Sequence, residues 1–535
     1  MLDHVSTVRD SFTGRARRLP GLATLTAAAA LGTFASPAAA ATCESLAKLS
    51  IPDVTIASAQ TVAAGAFVPP PGRGGAAPNT AQFKDAPAFC RVQGSVKRAG
   101  ATDAKIEYWL PMTGWNGDFQ PAAGGFGGGT IGYTGEHAMV EIIKHGAATG
   151  ATNRGHDNGG PPRWISSDIS AAAYHPMVDV GKKVVAAFYD KMPTFTVMNE
   201  CGGAGSRDAM QLTQEFPADL DLVASTGFTN WGTHHGIAQM WVWQAAHKSK
   251  ESIIPLAKLD VIHQGALAAC DAKDGVKDGV ITDPERCKFD PAVLQCKGAD
   301  APNCLNAAQV EAVRTIYKDP VHAKTGAYLY GSMPPGGELG WDEMTGERPY
   351  PFAPGFYRDQ VFKDPKWDYN TQPVNFDTHV DLADSPENLP INATNPDLTK
   401  FVERGGKLML VGGWNDHTLG PGNNVHYYQE VVKKMGQNKI KDSVRLFMVP
   451  GMDHCFGAGY GPNEKWPTIY RVDFDATQAL KDWKKSGKAP DSIVVTTTAK
   501  DNVPKKRLVC AYPKVAQYNG KGNVDDPTNF SCKNP

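Results

Sequence analysis

The chain has almost no excess of charge: 54 lysines and arginines stand against 55 aspartates and glutamates, a formal net charge of -1 over 535 residues. That balance removes the electrostatic footprint that a nucleic-acid binder needs. Long apolar runs are scarce too. Beyond residue 34 none approaches the roughly 20 residues required to cross a bilayer, so no membrane span is expected. Nor is a cysteine left over, since Cys43, Cys90, Cys201, Cys270, Cys287, Cys296, Cys304, Cys455, Cys510 and Cys532 make an even ten. What is present is 41% hydrophobic and 20% charged residues, enough for a globular protein with a large core.

The N-terminus has an order of its own. Arg15, Arg17 and Arg18 precede an apolar stretch over 19–34, and Ser36-Pro37-Ala38-Ala39-Ala40 follows. This is the sequence of charged region, apolar region and small-residue cleavage site found in secretory signals. Residues 1–41 are therefore read as a signal peptide cut near Ala40 or Ala41, and Pro20 and Gly21 argue against a buried helix there. Thr42 before Cys43 does not suit a lipoprotein site, so a secreted or periplasmic protein is expected. In that compartment ten cysteines suggest five disulfides. Cys270 with Cys287, Cys296 with Cys304, and Cys510 with Cys532 are local candidates; Cys43 with Cys90 and Cys201 with Cys455 would then remain. Spacing alone leaves the pairing open.

From residue 105 the pattern alternates between strand and helix. IEYWLP reads as a strand, 136–146 as a helix, 147–152 as a short buried strand, 178–189 as a helix, 194–198 as a strand, 206–216 as a helix ending before Pro217, and 220–225 as a strand. Such alternation implies a parallel, doubly wound sheet. It fails over 229–399, a stretch rich in Pro, Gly and Trp that holds four cysteines, and resumes with KLMLVG at 407–412 and VRLFMV at 444–449. The expected architecture is a core in two parts, 42–228 and 401–535, with a lid over 229–400. The tail from 501 reads as loop stapled by Cys510 and Cys532.

The most informative stretch is 194–210, TFTVMNECGGAGSRDAM, where a β-rich run passes through consecutive small residues into a helical pattern. That is the outline of the nucleophile elbow of an α/β-hydrolase, whose G-x-S-x-G lets the backbone turn sharply. The smallness is present and the serine is not. Cys201, Gly202, Gly203, Ala204 and Gly205 fill the turn, and the first hydroxyl, Ser206, falls inside the helix. Other parts of a triad are in place. Asp416 follows strand KLMLVGG and His454 follows strand VRLFMVP, giving the chain order elbow, Asp, His, each on a loop after a strand. Asp416 would orient the imidazole and His454 would act as general base. The glycine-dense 122–129, with Gly124 and Gly125, could bring backbone N–H groups to a developing oxyanion.

In 271–280, Asp271, Asp274 and Asp278 recur at spacings of three and four with glycines between. Carboxylates so placed can wrap a hard cation alongside backbone carbonyls, although the bidentate Glu that closes an EF-hand loop is missing. A series of Asp-Gly turns in a disulfide-closed loop is the plainer reading.

Together these motifs resemble the tannase and feruloyl esterase family, which includes mono(hydroxyethyl) terephthalate hydrolase. The likeness runs through WNGDF and GGFGGG, ATNRGHD, the elbow segment with EFPADLDLV, ACDAKDGVKDGVITDPERC, KLMLVGGWND, YYQEVV and GMDHCFG. It implies an α/β-hydrolase core with a lid, a small aromatic carboxylic ester as substrate, and a disulfide between Cys201 and Cys455 beside the nucleophile and the histidine. It also implies the other four bridges as paired above, and a Ca2+ site on Asp271, Asp274 and Asp278 with the carbonyls of Val276 and Val280. The departure lies at the centre. The family's elbow reads Gly-Cys-Ser-x-Gly-Gly-Arg, and here Glu200-Cys201-Gly202-Gly203-Ala204-Gly205-Ser206-Arg207 places Gly202 or Gly203 at the nucleophile's position. The sequence therefore supports three readings: ester hydrolysis with an atypical elbow, a lyase or isomerase using the His454 and Asp416 dyad, or a non-catalytic binding protein. Nothing in it speaks to oligomeric state. Trp231, Trp241, Trp243, Trp341 and Trp367 could line an aromatic pocket or belong to the lid's core.

Overall fold

A computed structural model describes residues 41–71, 80–123, 129–135, 137–156, 170–456, 471–499 and 501–535. The signal segment, Gly124 and Gly125 lie outside these residues. Residues 41–535 form one compact unit.

Its centre is a nine-stranded sheet. The strands are β1 (Val54–Val62), β2 (Phe89–Val96), β3 (Ala104–Pro111), β4 (Asp118–Pro121), β5 (Ala148–Thr152), β6 (Phe195–Cys201), β7 (Leu222–Thr226), β8 (Lys407–Gly413) and β9 (Val444–Val449). Their order across the sheet is β1-β2-β3-β5-β4-β6-β7-β8-β9. The first three strands and the β3–β5 pair are antiparallel; every pair from β5 to β9 is parallel. The parallel strands carry apolar side chains on both faces because helices cover both. Helix α1 (Met139–Lys144) precedes β5, and Met198, Val223, Leu408, Leu410 and Leu446 pack on one side with helices α2 (Ala171–Tyr189) and α3 (Gly202–Glu215). Val197, Leu222, Met409, Val411 and Phe447 face the other way, toward Leu480 and Trp483. Neighbours in sequence thus separate onto opposite faces, as the pleat requires.

Several element ends differ from the sequence reading. The strand entering the elbow runs to Cys201, and α3 begins at Gly202 rather than at Ser206. No connecting residue separates strand from helix, so the whole change of direction falls on one backbone position. The tail is not loop. It contributes β12 (Pro504–Cys510) to a three-stranded sheet behind β10 (Arg471–Asp473) and β11 (Ser492–Thr498), and a hairpin of β13 (Val515–Tyr518) and β14 (Phe530–Lys533). Its short strands lack a strong apolar alternation because they are only half-buried.

Between β7 and β8 the chain leaves the sheet. Helices α4 (Gly232–Ala246), α5 (Leu256–Cys270) and α6 (Ala307–Ile316) lie in this interval, with 3-10 turns and, among the described residues, isolated bridges but no sheet strand. It has apolar clusters of its own. Trp243 and Trp367 pack with Phe352, Phe356 and Tyr357, and Trp341 packs with Ile262 and Val313. These three tryptophans are core, while Trp231 stacks on His234 and the Trp241 indole donates to the Thr315 carbonyl. All five disulfides pair Cys43–Cys90, Cys201–Cys455, Cys270–Cys287, Cys296–Cys304 and Cys510–Cys532.

The ATNRGHD motif also finds a role. Asn153 accepts from the backbone of Lys105 and Gly155, fixing the turn after β5, and the Arg154 guanidinium forms a two-pronged ion pair with Asp208 of α3. Both charges are completely buried. Removing one partner leaves the other charge uncompensated in the interior, which costs about 3–5 kcal/mol. Asp208→Ala should therefore shift the urea unfolding midpoint sharply downward, whereas an unchanged midpoint would mean that α3 does not depend on the pair.

Candidate functional site

The carboxyl ends of β6, β8 and β9 point the same way because these strands belong to one parallel set. Their loops bring Gly202, Asp416 and His454 together. The His454 Nδ1 lies 2.8 Å from Asp416 Oδ2. The other carboxylate oxygen accepts from the Thr418 N–H at 2.9 Å, the Thr418 hydroxyl at 2.9 Å and the Leu419 N–H at 3.1 Å. Asp416 is thus held by its own following turn, with one oxygen kept for the imidazole. With Nδ1 against a carboxylate, the neutral ring carries its proton there and Nε2 is the basic nitrogen.

Nε2 faces the elbow. Gly202 has φ +79°, and a Cβ built on it would lie 3.1 Å from His454 Nε2. A Cβ on Gly203 would instead meet Thr229 Oγ1 at 3.4 Å. Of the two glycines, then, Gly202 is the one whose side-chain direction meets the imidazole. Its left-handed φ is the strained conformation that a nucleophile adopts at such an elbow, here taken without a Cβ penalty. Ser206 stands one turn into α3, fully buried, with its hydroxyl donated back to the Gly202 carbonyl.

Several constraints fix this geometry. The Cys201–Cys455 bridge joins the residues beside Gly202 and His454, with 5.9 Å between Cα atoms. Gly227, φ +51°, lets the chain after β7 pass so close that a Cβ there would sit 2.3 Å from the His454 carbonyl oxygen. Asn415 bridges neighbouring loops, accepting from Gly451 and donating to the Gly336 carbonyl.

The electrostatics are those of a buried ion pair. Burial alone would lower the His454 pKa, but Asp416 beside it raises it above the ordinary histidine value of 6.5. Burial would likewise raise the Asp416 carboxyl, and the facing His454 with its hydrogen bond brings it below the usual carboxylate range. His417, adjacent in sequence, is buried against Asp453 at 2.9 Å and near Glu343 at 3.3 Å. Burial opposes its charge, yet Asp453 and then Glu343 push its pKa up to about 10, so it is a cation at neutral pH. On the elbow strand, burial pushes the Glu200 carboxyl up to about 8, while its Oε1 accepts from the Ala123 N–H at 2.7 Å.

Sequence reasoning singled out Asp416 and His454 but missed Thr418, His417 and Thr229. Thr418 was legible: a Thr two residues after an Asp is a turn signal. Thr229 and the His417–Asp453 pair carry no local signal, since the groups they face come from other strands' loops.

In the Asp271 loop, Asp271 accepts from the backbone of Asp278 and Gly279. Asp274 accepts from the Val276 N–H and the Thr282 hydroxyl, and Asp278 pairs with Arg507 of β12 at 2.6 Å. The three carboxylates do not all converge within 4.8 Å. Their chemistry nonetheless fits a hard cation: Asp278 Oδ1 is buried without a partner, and burial raises the Asp274 carboxyl with Asp278 and Asp271 adding to the effect.

The titration of His454 is directly measurable. In an NMR pH series its imidazole should lose its proton above 6.5, the neutral form growing as pH rises through that point, and Asp416→Asn should lower the value. An unchanged value in Asp416→Asn would show that Asp416 does not govern the ring.

A family model described as "Tannase and feruloyl esterase" matches residues 90–533. An uncharacterized esterase of Xanthomonas campestris is 33% identical over 96% of this chain and 94% of its own length. A probable feruloyl esterase B-2 of Aspergillus terreus is 29% identical over 83% of this chain and 86% of its own. The crystal structure of feruloyl esterase B from Aspergillus oryzae superposes with a TM-score of 0.78 at 25% identity, covering 92% of this chain and 99% of that one. With the α/β-hydrolase fold, the strand-end loops and a match over most of its length, this chain belongs to the tannase and feruloyl esterase family and is by class a carboxylic ester hydrolase.

Proposed function

We propose that the protein hydrolyses a small aromatic, phenolic carboxylic ester by direct attack of water, with His454 as general base and Asp416 orienting it. The observation that carries this reading is the direction of His454 Nε2, which faces the elbow residue Gly202 where no side chain can be acylated. The aromatic substrate class is supported by the family and by relatives described as feruloyl esterases.

The chemistry follows from these positions. As water oxygen adds to the ester carbonyl carbon, its proton passes to Nε2, and Asp416 stabilises the resulting imidazolium. The charge that develops on the carbonyl oxygen needs donors. The first N–H groups of a helix have no partner within it, so Gly203, directly after the elbow position, is one candidate, and Gly124 and Gly125 are proposed as the others. Collapse of the tetrahedral intermediate breaks the ester C–O bond, and the leaving alcohol takes the proton from His454. Without a covalent step, a site of this kind retains on the order of 10³–10⁴-fold over uncatalysed hydrolysis from oxyanion stabilisation and binding.

His454→Ala should abolish turnover of simple phenolic esters. Phosphonate and sulfonyl fluoride reagents should leave no adduct on residues 201–206, and Gly202→Ser should raise the rate by creating an acylable hydroxyl in the elbow. Labelling of Ser206 would overturn the water route. A His454-dependent reaction on a non-ester substrate, with no gain from Gly202→Ser, would favour a lyase or isomerase.

We further propose that Ca2+ is held by Asp271, Asp274 and Asp278 with the carbonyls of Val276 and Val280, where it would offset the mutual repulsion of the carboxylates. The buried, unpartnered Asp278 Oδ1 supports this. Chelation should lower the melting temperature and calcium should restore it, as a ligand of the native state must; an unaltered melting curve together with no calcium by elemental analysis would remove the site. The five disulfides and the N-terminal segment support export to an oxidising compartment, periplasmic or extracellular.

A further inference from the structure

The water route leaves open what holds the water, and Thr229 is placed to do so. It follows β7, which lies between β6 and β8 in the sheet. The loop after β7 therefore emerges on the side of the elbow where Asp416 and His454 stand, whereas the loop after β4, which carries Ala122 and Ala123, emerges on the opposite side. Thr229 thus belongs to the Asp416 and His454 side of the elbow, away from the loop after β4.

Thr229 is 2% exposed, and among the described residues its Oγ1 has no hydrogen-bond partner. The hydroxyl of Tyr330, also fully buried, adjoins it without completing a hydrogen bond of good geometry. Thr229 Oγ1 fronts Gly203 and His454 Nε2 fronts Gly202, at the distances given above, so a buried hydroxyl and a buried base stand against consecutive glycines of the same turn. A side chain at Gly202 would run against the base, and one at Gly203 against the hydroxyl. A water molecule needs two to four polar partners to be fixed in a protein interior. Here His454 Nε2 offers an acceptor, while Thr229, with Tyr330 behind it, offers hydroxyls that can donate or accept.

Resting on the reading of the protein as a hydrolase, we infer that Thr229 and His454 together hold the attacking water at the Gly202–Gly203 turn. Thr229 is β-branched and stiff about χ1, so its hydroxyl is pre-positioned, accepting one water proton while Nε2 accepts the other. On attack, the water oxygen bonds to the carbonyl carbon and the proton on Nε2's side is transferred, while Thr229 keeps its own proton throughout.

The test has two independent parts. Thr229→Val, which keeps the shape and removes the hydroxyl, should lower kcat on a phenolic ester on the order of ten- to a hundredfold, as misplacement of a reacting group does. KM should stay within about twofold, and Thr229→Ser should recover most of the rate. In the Gly202→Ser background the Thr229→Val penalty should shrink, because the serine oxygen then occupies the water's place and the two substitutions are no longer additive. A crystal structure at water-resolving resolution should contain an ordered water within hydrogen-bond reach of both Thr229 Oγ1 and His454 Nε2, lost in Thr229→Val. Unchanged kcat in Thr229→Val, or the absence of that water from the natural protein, overturns the inference, as does an acylated peptide containing Thr229. A bridging water in a protein that hydrolyses no ester would instead retain the water site and sink the proposed reaction.

Discussion

Everything at the site depends on one backbone turn. Cys201 ends the central strand in extended conformation and α3 starts at the next residue, so Gly202 alone absorbs the change of direction at positive φ. In an elbow of this kind an L-residue would be strained, and the strain is tolerated because it presents a reactive side chain. Here the turn keeps its geometry and loses its side chain. Glycine takes this φ without strain, so the same backbone path survives although the hydroxyl does not.

Around that turn the fold places one covalent tie and several buried polar groups, of which the polar ones bear the cost of burial. Arg154 and Asp208 fasten α3 from behind, the Cys201–Cys455 bridge fastens the elbow to the histidine loop, and Asp416 is wrapped by the turn that follows it. Such groups are costly to bury and stay favourable only while every partner is present. The His417–Asp453 pair follows the same logic, placing an imidazole, whose charged form Asp453 favours, one residue from Asp416 and helping that carboxylate remain ionised beneath His454.

The chemistry that this permits differs from the family pattern in one respect. A serine nucleophile and a water molecule ask for the same base in the same place, since both must lose a proton as they approach the carbonyl. Loss of the serine therefore leaves the rest of the machinery usable, at the cost of the covalent step. The Asp416 and His454 geometry is compatible with either nucleophile; the glycines at 202 and 203 offer no hydroxyl, which is why the second is the one proposed.

Much of the fold was legible in the chain. KLMLVGG and VRLFMV are strands within a residue of where their apolar runs lie, because parallel strands buried on both faces leave continuous hydrophobic signatures. The half-buried β12 to β14 left no such signature and read as loop. The chain order of elbow, Asp416 and His454 was also visible, because each follows a strand end, and the even cysteine count foreshadowed five bridges. Two things were not local. Whether Gly202 or Gly203 occupies the nucleophile's position depends on a φ angle and on which neighbour a Cβ would meet, and those neighbours, His454 and Thr229, lie more than twenty residues away in sequence. The partners of Arg154 and His417, and the place of Thr229 beside the elbow, are likewise set by strand order. Sequence by itself determined which strands form and which reactive residues stand at their ends, since those follow from nearest-neighbour patterns; only the tertiary structure decided which of these groups face one another, because that is a property of how the parallel strands line up.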